Sequence, residues 1–310
     1  MIDTILSENK NLKLTKTMVV YLKTLESIIP ESLRENFYKN LKTLKVVYDP
    51  NIITNGKETR GKYDHKNNII YLNTKDTITR LRKYNIEKIE VLKGLEQILL
   101  HEFVHMSAAN YNKEKDKATL GIEETGTITN AGLDEGLTEL ISIAIVNPKY
   151  LLLSDYHIET ELANQLFFIL GQEVMLNAYY SGTKTSLIDK ALNELGKEKG
   201  LNEEYSYNML REMETTHILK RTNYELDSLA KTQQMLLNYL DIKLKNLQSE
   251  NNQEEIDKII DMYKSHIITS KKIELFGYSS KVFIGLDKNE QTFKQIVNKY
   301  QAKKDQNKIK

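Results

Sequence analysis

Apolar positions 18, 21, 25 and 28 recur at helical spacing up to Pro30, and 33, 37, 41 and 44 recur again beyond it, which predicts two N-terminal helices broken at the proline. The period then changes. Residues 44–48 (LKVVY) are β-branched and stop at Asp49-Pro50, and residues 68–73 (NIIYLN) form a second short apolar run, so a small sheet is expected, with Gly56 and Gly61 between its strands. From 86 to 109 the pattern is helical, with Val91, Leu95, Leu99 and Phe103 on one stripe. Residues 110–131 lose periodicity and read as a long ordered loop, and a helix over 133–146 follows, stopped by Pro148. Helices are expected over 157–180, 185–195 and 203–219. Over 224–247, Leu229, Leu236, Leu240, Leu244 and Leu247 share a face, and a second helix over 254–268 makes the pair an antiparallel hairpin. Two short strands are expected in the tail, at 273–276 and 282–284. The sum is an α+β chain, predominantly helical.

Composition narrows the chemistry. Lys plus Arg number 44 against 43 Asp plus Glu, so no bulk field steers the chain toward nucleic acid or an acidic membrane. Arginine, the residue whose planar fork reads phosphate and base edges, is scarce beside lysine. There is no apolar run of the roughly 20 residues needed to cross a bilayer, and residues 1–16 lack the pattern of a secretory signal, so a cytoplasmic address without a membrane span is the expectation. With no cysteine, disulfides, thiolate metal sites and a thiol nucleophile are excluded, and any metal must be held by His, Asp or Glu.

Two of the six histidines fall in one pentapeptide, His101-Glu102-Phe103-Val104-His105, inside the expected helix. Residues four apart lie one above the other on a helix, so both imidazoles can grip one ion while Glu102 points at its open side. Neutral imidazole suits Zn²⁺, and three protein ligands leave a fourth position for a water from which Glu102 can take a proton. Gly94, Gln97 and Ala108 on the histidine face are expected to leave room for a cleft. The third ligand does not come from a metzincin-type continuation, because Ala108 and Tyr111 stand where that pattern needs a glycine and a histidine. The alternative is a carboxylate from Asp134-Glu135-Gly136-Leu137-Thr138-Glu139, where Glu135 and Glu139 share a helix face. One could ligate the metal while the other orients a ligating histidine; Glu123 and Glu124 remain further alternatives.

Over residues 68–146 the chain resembles the thermolysin-like zincins (gluzincins), in which HExxH is followed by a helix carrying an acidic motif. The resemblance implies one Zn²⁺ held by His101, His105 and Glu135, Glu102 as general base, and Glu139 as the acid orienting the first histidine. Asp134 and Glu139 depart from the usual Asn and Asp of that motif, and the 29 residues between His105 and Glu135 are a longer spacing than the family's. It also implies a zincin-like architecture in which a sheet-bearing lobe and a helical lobe flank the metal. The expected divisions are 1–120, 121–220, and a hairpin extension with tail over 221–310. The implied activity is hydrolysis of a peptide or protein substrate, as an endopeptidase because the aminopeptidase Gly-x-Met-x-Asn string is missing, with residues 68–73 as the candidate substrate-pairing edge. Candidate oxyanion donors are His157, Tyr179, Tyr180 and His217; His65 and His266 read as surface. The competing reading is a zincin-fold metal-binding protein without peptidase activity, acting as an interaction or regulatory module.

Overall fold

The computed structural model describes residues 1–54, 57–75, 79, 88–112, 114, 117–124, 130–146, 156–183, 185–220, 222–278 and 283–301. Gly56 and Pro148, expected as a turn residue and a helix stop, lie outside the described residues. The chain is α+β and predominantly helical, as the pattern predicts. In order, the elements are α1 (Ile2–Glu8), α2 (Lys16–Ile28), a 3₁₀ turn (Glu31–Leu33), α3 (Arg34–Thr43), β1 (Lys45–Tyr48), β2 (Ile53–Thr54), β3 (Lys57–Glu58), β4 (Gly61–Asp64), β5 (Ile69–Leu72), α4 (Lys88–Ala108), β6 (Ala109–Asn112), β7 (Lys117–Leu120) and β8 (Glu123–Glu124). Then come α5 (Ala131–Ile145), α6 (His157–Leu170), α7 (Gln172–Ser181), α8 (Ser186–Gly196), α9 (Glu203–Ile218), α10 (Asn223–Ser249), α11 (Gln253–His266), α12 (Ser270–Leu275) and α13 (Ile284–Gln301). No helix of the described residues is long and apolar enough to cross a membrane.

The chain divides into two compact units. The first holds Met1–Ile128, Thr138–Asp155 and Leu176–Lys184, the second Thr129–Leu137, Tyr156–Met175 and Thr185–Lys310. Helix α5 therefore belongs to the second unit by its first turns and to the first by its remainder.

In the first unit, α4 packs against α2, α3, β4 and β5. Its last carbonyls, left without intrahelical partners, are met by the Asn40 side chain of α3, whose Nδ2 donates to Met106 and Ala109 (both 2.9 Å). Asn9 closes the end of α3 in the same way, donating to the carbonyls of Leu41 and Leu44. One side-chain amide thus fixes the C-terminal end of α4, just beyond the HExxH turn, and a second fixes the end of the helix that supplies it. The sheet has the order β1-β5-β4, with β1 parallel and β4 antiparallel to β5. Residues 68–73 therefore supply the central strand, correcting their expected role as the edge. Among the described residues, strand β4, carrying Gly61, is an edge instead. It escapes the pattern because Gly-Lys-Tyr-Asp holds one apolar residue and shows no alternation to read. The β4–β5 turn is an Asx turn, Asp64 Oδ1 accepting from the Lys66 amide, and it closes on Asn68 at φ 53, a left-handed conformation asparagine tolerates. Residues 110–131, expected as a loop, hold a second three-stranded sheet, β6-β7-β8, which follows α4 without a break; residues 125–129 lie outside the described chain. Its strands are too short and too polar to betray a period.

In the second unit α10 is central, touching α6, α8, α9, α11 and α13, and the five leucines of its predicted stripe are all buried. Buried Gln233 donates to the Ile268 carbonyl (2.8 Å) and accepts from its amide (2.7 Å), holding the segment after α11 against α10. Two expectations fail here. The single helix over 157–180 is broken at Gly171, whose φ of +87° ends α6, because the apolar period runs on through a residue able to leave the helix. The tail strands are helices: Thr269 caps α12 by accepting from the Lys272 amide, and Ile284 opens α13, while Val282 lies outside the described residues. Short apolar runs do not separate strand from helix.

Candidate metal centre

Helix α4 presents His101 and His105 from consecutive turns, their rings 4.9 Å apart and nearly perpendicular. Helix α5 presents Glu135. One ligand atom from each of these residues lies within 4.8 Å of the other two, the one such group of His, Asp or Glu among the described residues. Zinc bonds of 2.0–2.2 Å in tetrahedral geometry put ligand atoms roughly 3.4 Å apart, a spacing that the 4.8 Å bound on this group allows. Two imidazoles and one carboxylate with no thiolate form a donor set that suits Zn²⁺. Glu123, in β8, is outside the group, and so is Glu139.

Glu139 has another role. His101 donates from Nδ1 to Glu139 Oε2 at 2.9 Å, with both side chains nearly shut off from water. A carboxylate only accepts, so this bond pins the ring with Nδ1 protonated and puts the lone pair on Nε2. His105 is treated differently: its Nδ1 lies 3.4 Å from Thr138 Oγ1, which lies 2.6 Å from Tyr179 Oη. Thr138 stands three residues after Glu135, a spacing that already placed it on the same helix face.

Glu102 is buried beside β4. A Cβ built on Gly61 would fall 2.6 Å from Glu102 Oε1 and 2.8 Å from Ile98 Cγ2, so only glycine lets this strand approach the carboxylate so closely. Gly94, Gln97 and Ala108, expected to open a cleft, are buried and pack the helix instead.

On α5 the glycines set the backbone spacing. A Cβ on Gly136 would lie 2.4 Å from the Glu159 carbonyl oxygen, and one on Gly132 would lie 2.7 Å from His217 Cβ, so α5 rests directly on α6 and α9 through two glycines one turn apart. Against them sits a charged cluster that the chain pattern does not announce, except for His217. His217 donates from Nδ1 to Glu159 (3.0 Å), Lys220 pairs with the same carboxylate oxygen (3.0 Å), and Glu214 accepts from the Gly132 amide (2.9 Å) at the start of α5. Burial opposes the charged form of His217, but the hydrogen bond and charge of Glu159, with a smaller contribution from Glu135, prevail and raise its pKa above the ordinary histidine value. Burial likewise opposes ionisation of Glu159, yet the bond from His217 and the charge of Lys220 bring its pKa below the usual carboxylate range. Burial raises Glu214, partly offset by the Gly132 amide and His217. Helical periodicity marks none of these acids, since Glu159 and Glu214 are separated by 54 residues and meet only in the fold.

Of the four candidate oxyanion donors, His217 is electrostatically coupled to a member of the ligand group, Glu135. His157 stacks flat on Phe276 (5.2 Å, 7°), Tyr180 is fully buried and its phenol pushed far up by desolvation, and Tyr179 is bonded to Thr138. His266, expected at the surface, is half-buried, bonded to Glu161 (2.8 Å) and packed on Phe168; His65, also half-buried, meets Tyr111 edge-on.

Comparison of the chain with protein-family models, with curated proteins and with solved structures finds no match.

Proposed function

We propose that the protein is a zinc-dependent endopeptidase acting on peptide or protein substrates, in the manner of the thermolysin-like zincins. The observation that carries the reading is the coincidence of a two-histidine, one-glutamate group with a carboxylate already bonded to Nδ1 of the first histidine. A structural accident has no need of that second carboxylate, whereas a metal site uses it to fix the ring. Zinc held by His101, His105 and Glu135 would supply an open position for a water whose pKa falls to about 7.

The chain's own residues supply the rest. Glu102, a buried carboxylate next in sequence to His101, takes the proton from the attacking water and passes it to the leaving amine. His217, whose protonated form Glu159 favours, donates to the oxyanion of the tetrahedral adduct. Strand β4, an edge strand in contact with Glu102 at Gly61, offers backbone groups to an extended substrate.

Metal analysis of the purified chain and casein cleavage by wild type and Glu102→Gln test the proposal. One zinc per chain, cleavage by wild type and at least a hundredfold loss in Glu102→Gln are expected. Absence of zinc, or equal cleavage by both proteins, overturns it.

A further inference from the structure

Strand β1 ends the sheet order β1-β5-β4 among the described residues. The Lys45 amide donates to the Asn68 carbonyl and the Asp49 amide to the Leu72 carbonyl, so residues 45, 47 and 49 turn their peptide groups toward β5. Peptide groups alternate along a strand, and those of Val46 and Tyr48 therefore point away from the sheet. Edge strands are commonly guarded by lysine, proline or a bulge. Here Lys45 and Pro50 stand at the two ends, and Val47, 38% exposed, and Tyr48, 62% exposed, are bare between them.

The sequence of this edge is self-complementary. An antiparallel strand laid on it must set its own outward peptide groups against those of Val46 and Tyr48. For a second copy of β1, symmetric pairing can be centred on any of its four residues. Centring on Lys45 sets like charges face to face, which is destabilising. Centring on Val46 sets Lys45 against Val47 and draws in Leu44, which is wholly buried. Centring on Tyr48 sets Val46 against Pro50, which has no amide to donate. Centring on Val47 leaves nothing unmatched. Val46 and the partner's Tyr48 exchange both N–H···O bonds, the symmetry repeats the exchange, and Lys45 stands directly opposite the partner's Asp49. On the face shared with buried Ile70 and Leu72, each Val46 then meets an aromatic ring, a favourable cross-strand pair. On the other face the two Val47 side chains meet at the axis as a non-hydrogen-bonded pair, where side chains approach most closely.

We infer that β1 pairs antiparallel with β1 of a second copy of this chain, about a two-fold axis through Val47, joining two three-stranded sheets into one of six. The contact spans residues 45–49 on each side, against about 20–30 residues a side in a standard interface, so the dimer is weak, with a dissociation constant on the order of 100 µM. It forms where the protein is concentrated. Strand β4, the proposed substrate edge, stays at both outer ends of the joined sheet.

Sedimentation velocity of the full chain from low micromolar to about 0.5 mM should show a monomer–dimer equilibrium. Lys45→Asp and Asp49→Lys each set like charges opposite one another and should weaken association at least about tenfold. Mixed in equal amounts, the two variants should dimerise with each other to within about threefold of wild type, because each carries the charges the other needs. Circular dichroism checks that Asp49→Lys, which also loses the bond from the Asn51 amide (2.9 Å), keeps its fold. The chain has no cysteine, so Val47→Cys reports the axis directly. Diamide should cross-link it into a disulfide dimer, whereas Lys45→Cys, whose copy lies roughly 13 Å away along the strand, should react at least about tenfold more slowly. A wild type that stays monomeric at about 0.5 mM overturns the inference. So do charge variants that dimerise as wild type does, a mixture of folded variants that stays monomeric, or a dimer in which Val47→Cys cross-links no faster than Lys45→Cys.

Discussion

Replacing Glu139 separates an orienting carboxylate from a ligating one. Its Oε2 accepts from His101 Nδ1 at 2.9 Å, with side-chain exposures of 12% for the histidine and 5% for the glutamate, so solvent screens the bond little. Hydrogen bonds to charged partners contribute about 1.5–3 kcal/mol net, roughly twice a neutral one. Glu139→Gln keeps a carbonyl acceptor and loses the charge, a cost of about 1 kcal/mol, or roughly fivefold in zinc affinity. Glu139→Ala loses the acceptor as well, about 1.5–3 kcal/mol, or roughly 10- to 150-fold. Glu135→Ala removes a ligand and should abolish stoichiometric zinc at micromolar protein. Competition with a chromogenic chelator ranks the three variants, expected in the order Gln, Ala at 139, Ala at 135. If Glu139→Ala binds as poorly as Glu135→Ala, Glu139 coordinates and the assignment is wrong; if both Glu139 variants match wild type, the His101 bond does not serve the metal.

Gly136→Ala should lower the melting temperature: its Cβ must clear a backbone oxygen at 2.4 Å, an overpacking cost of about 1–3 kcal/mol that exceeds the roughly 1 kcal/mol gained in helix propensity, and a melting temperature above wild type would contradict the close approach of α5 and α6. Gly61→Ala pushes on Glu102 Oε1 at 2.6 Å, so cleavage should fall at least tenfold on the order of a displaced general base while zinc content holds at one per chain; loss of zinc instead would mean that the strand supports the ligands rather than the base. The His217–Glu159 pair gives a pH signature. The raised His217 pKa means its stabilisation is fully present below the ordinary histidine value of 6.5 and lost as pH rises through the folded value, and the lowered Glu159 pKa means its contribution is present above the ordinary carboxylate value of 4.5 and lost as pH falls through the folded value. The urea midpoint difference between wild type and His217→Gln should therefore be greatest near pH 5–6 and shrink toward pH 9, and a difference that grows with pH would refute the pairing.

What could be read from the chain follows from which interactions are local. The HExxH turn and the Glu135/Glu139 face are properties of single helices, and α4, α5 and the leucine stripe of α10 appear where periodicity puts them. The edge position of β4 was invisible because sheet order is fixed by pairing between segments, and Gly61 reads as a turn residue until the carboxylate of Glu102 is found against it. Gly171 ends a helix by backbone conformation alone, with no change in the apolar pattern to announce it. The Glu159–His217–Lys220 cluster and the Thr138–Tyr179 contact join residues that are 58 and 41 positions apart in their key bonds, and no spacing rule spans such distances.

Helix α5 is occupied along most of its surface. Gly132 and Gly136 lie close against α9 and α6, Glu139 bonds His101, Glu135 has a carboxylate oxygen within 4.8 Å of ligand atoms of both histidines, Thr138 faces His105, and Leu133, Leu137 and Ile141 are buried. Ala144 is the one residue of Ala131–Ile145 that is exposed. A saturation library across this helix should therefore return almost no neutral variants except at position 144, and the fifteen residues of α5 should form the least tolerant stretch of the protein. Its freedom to drift is limited by close packing and side-chain hydrogen bonds crowded into the same few turns.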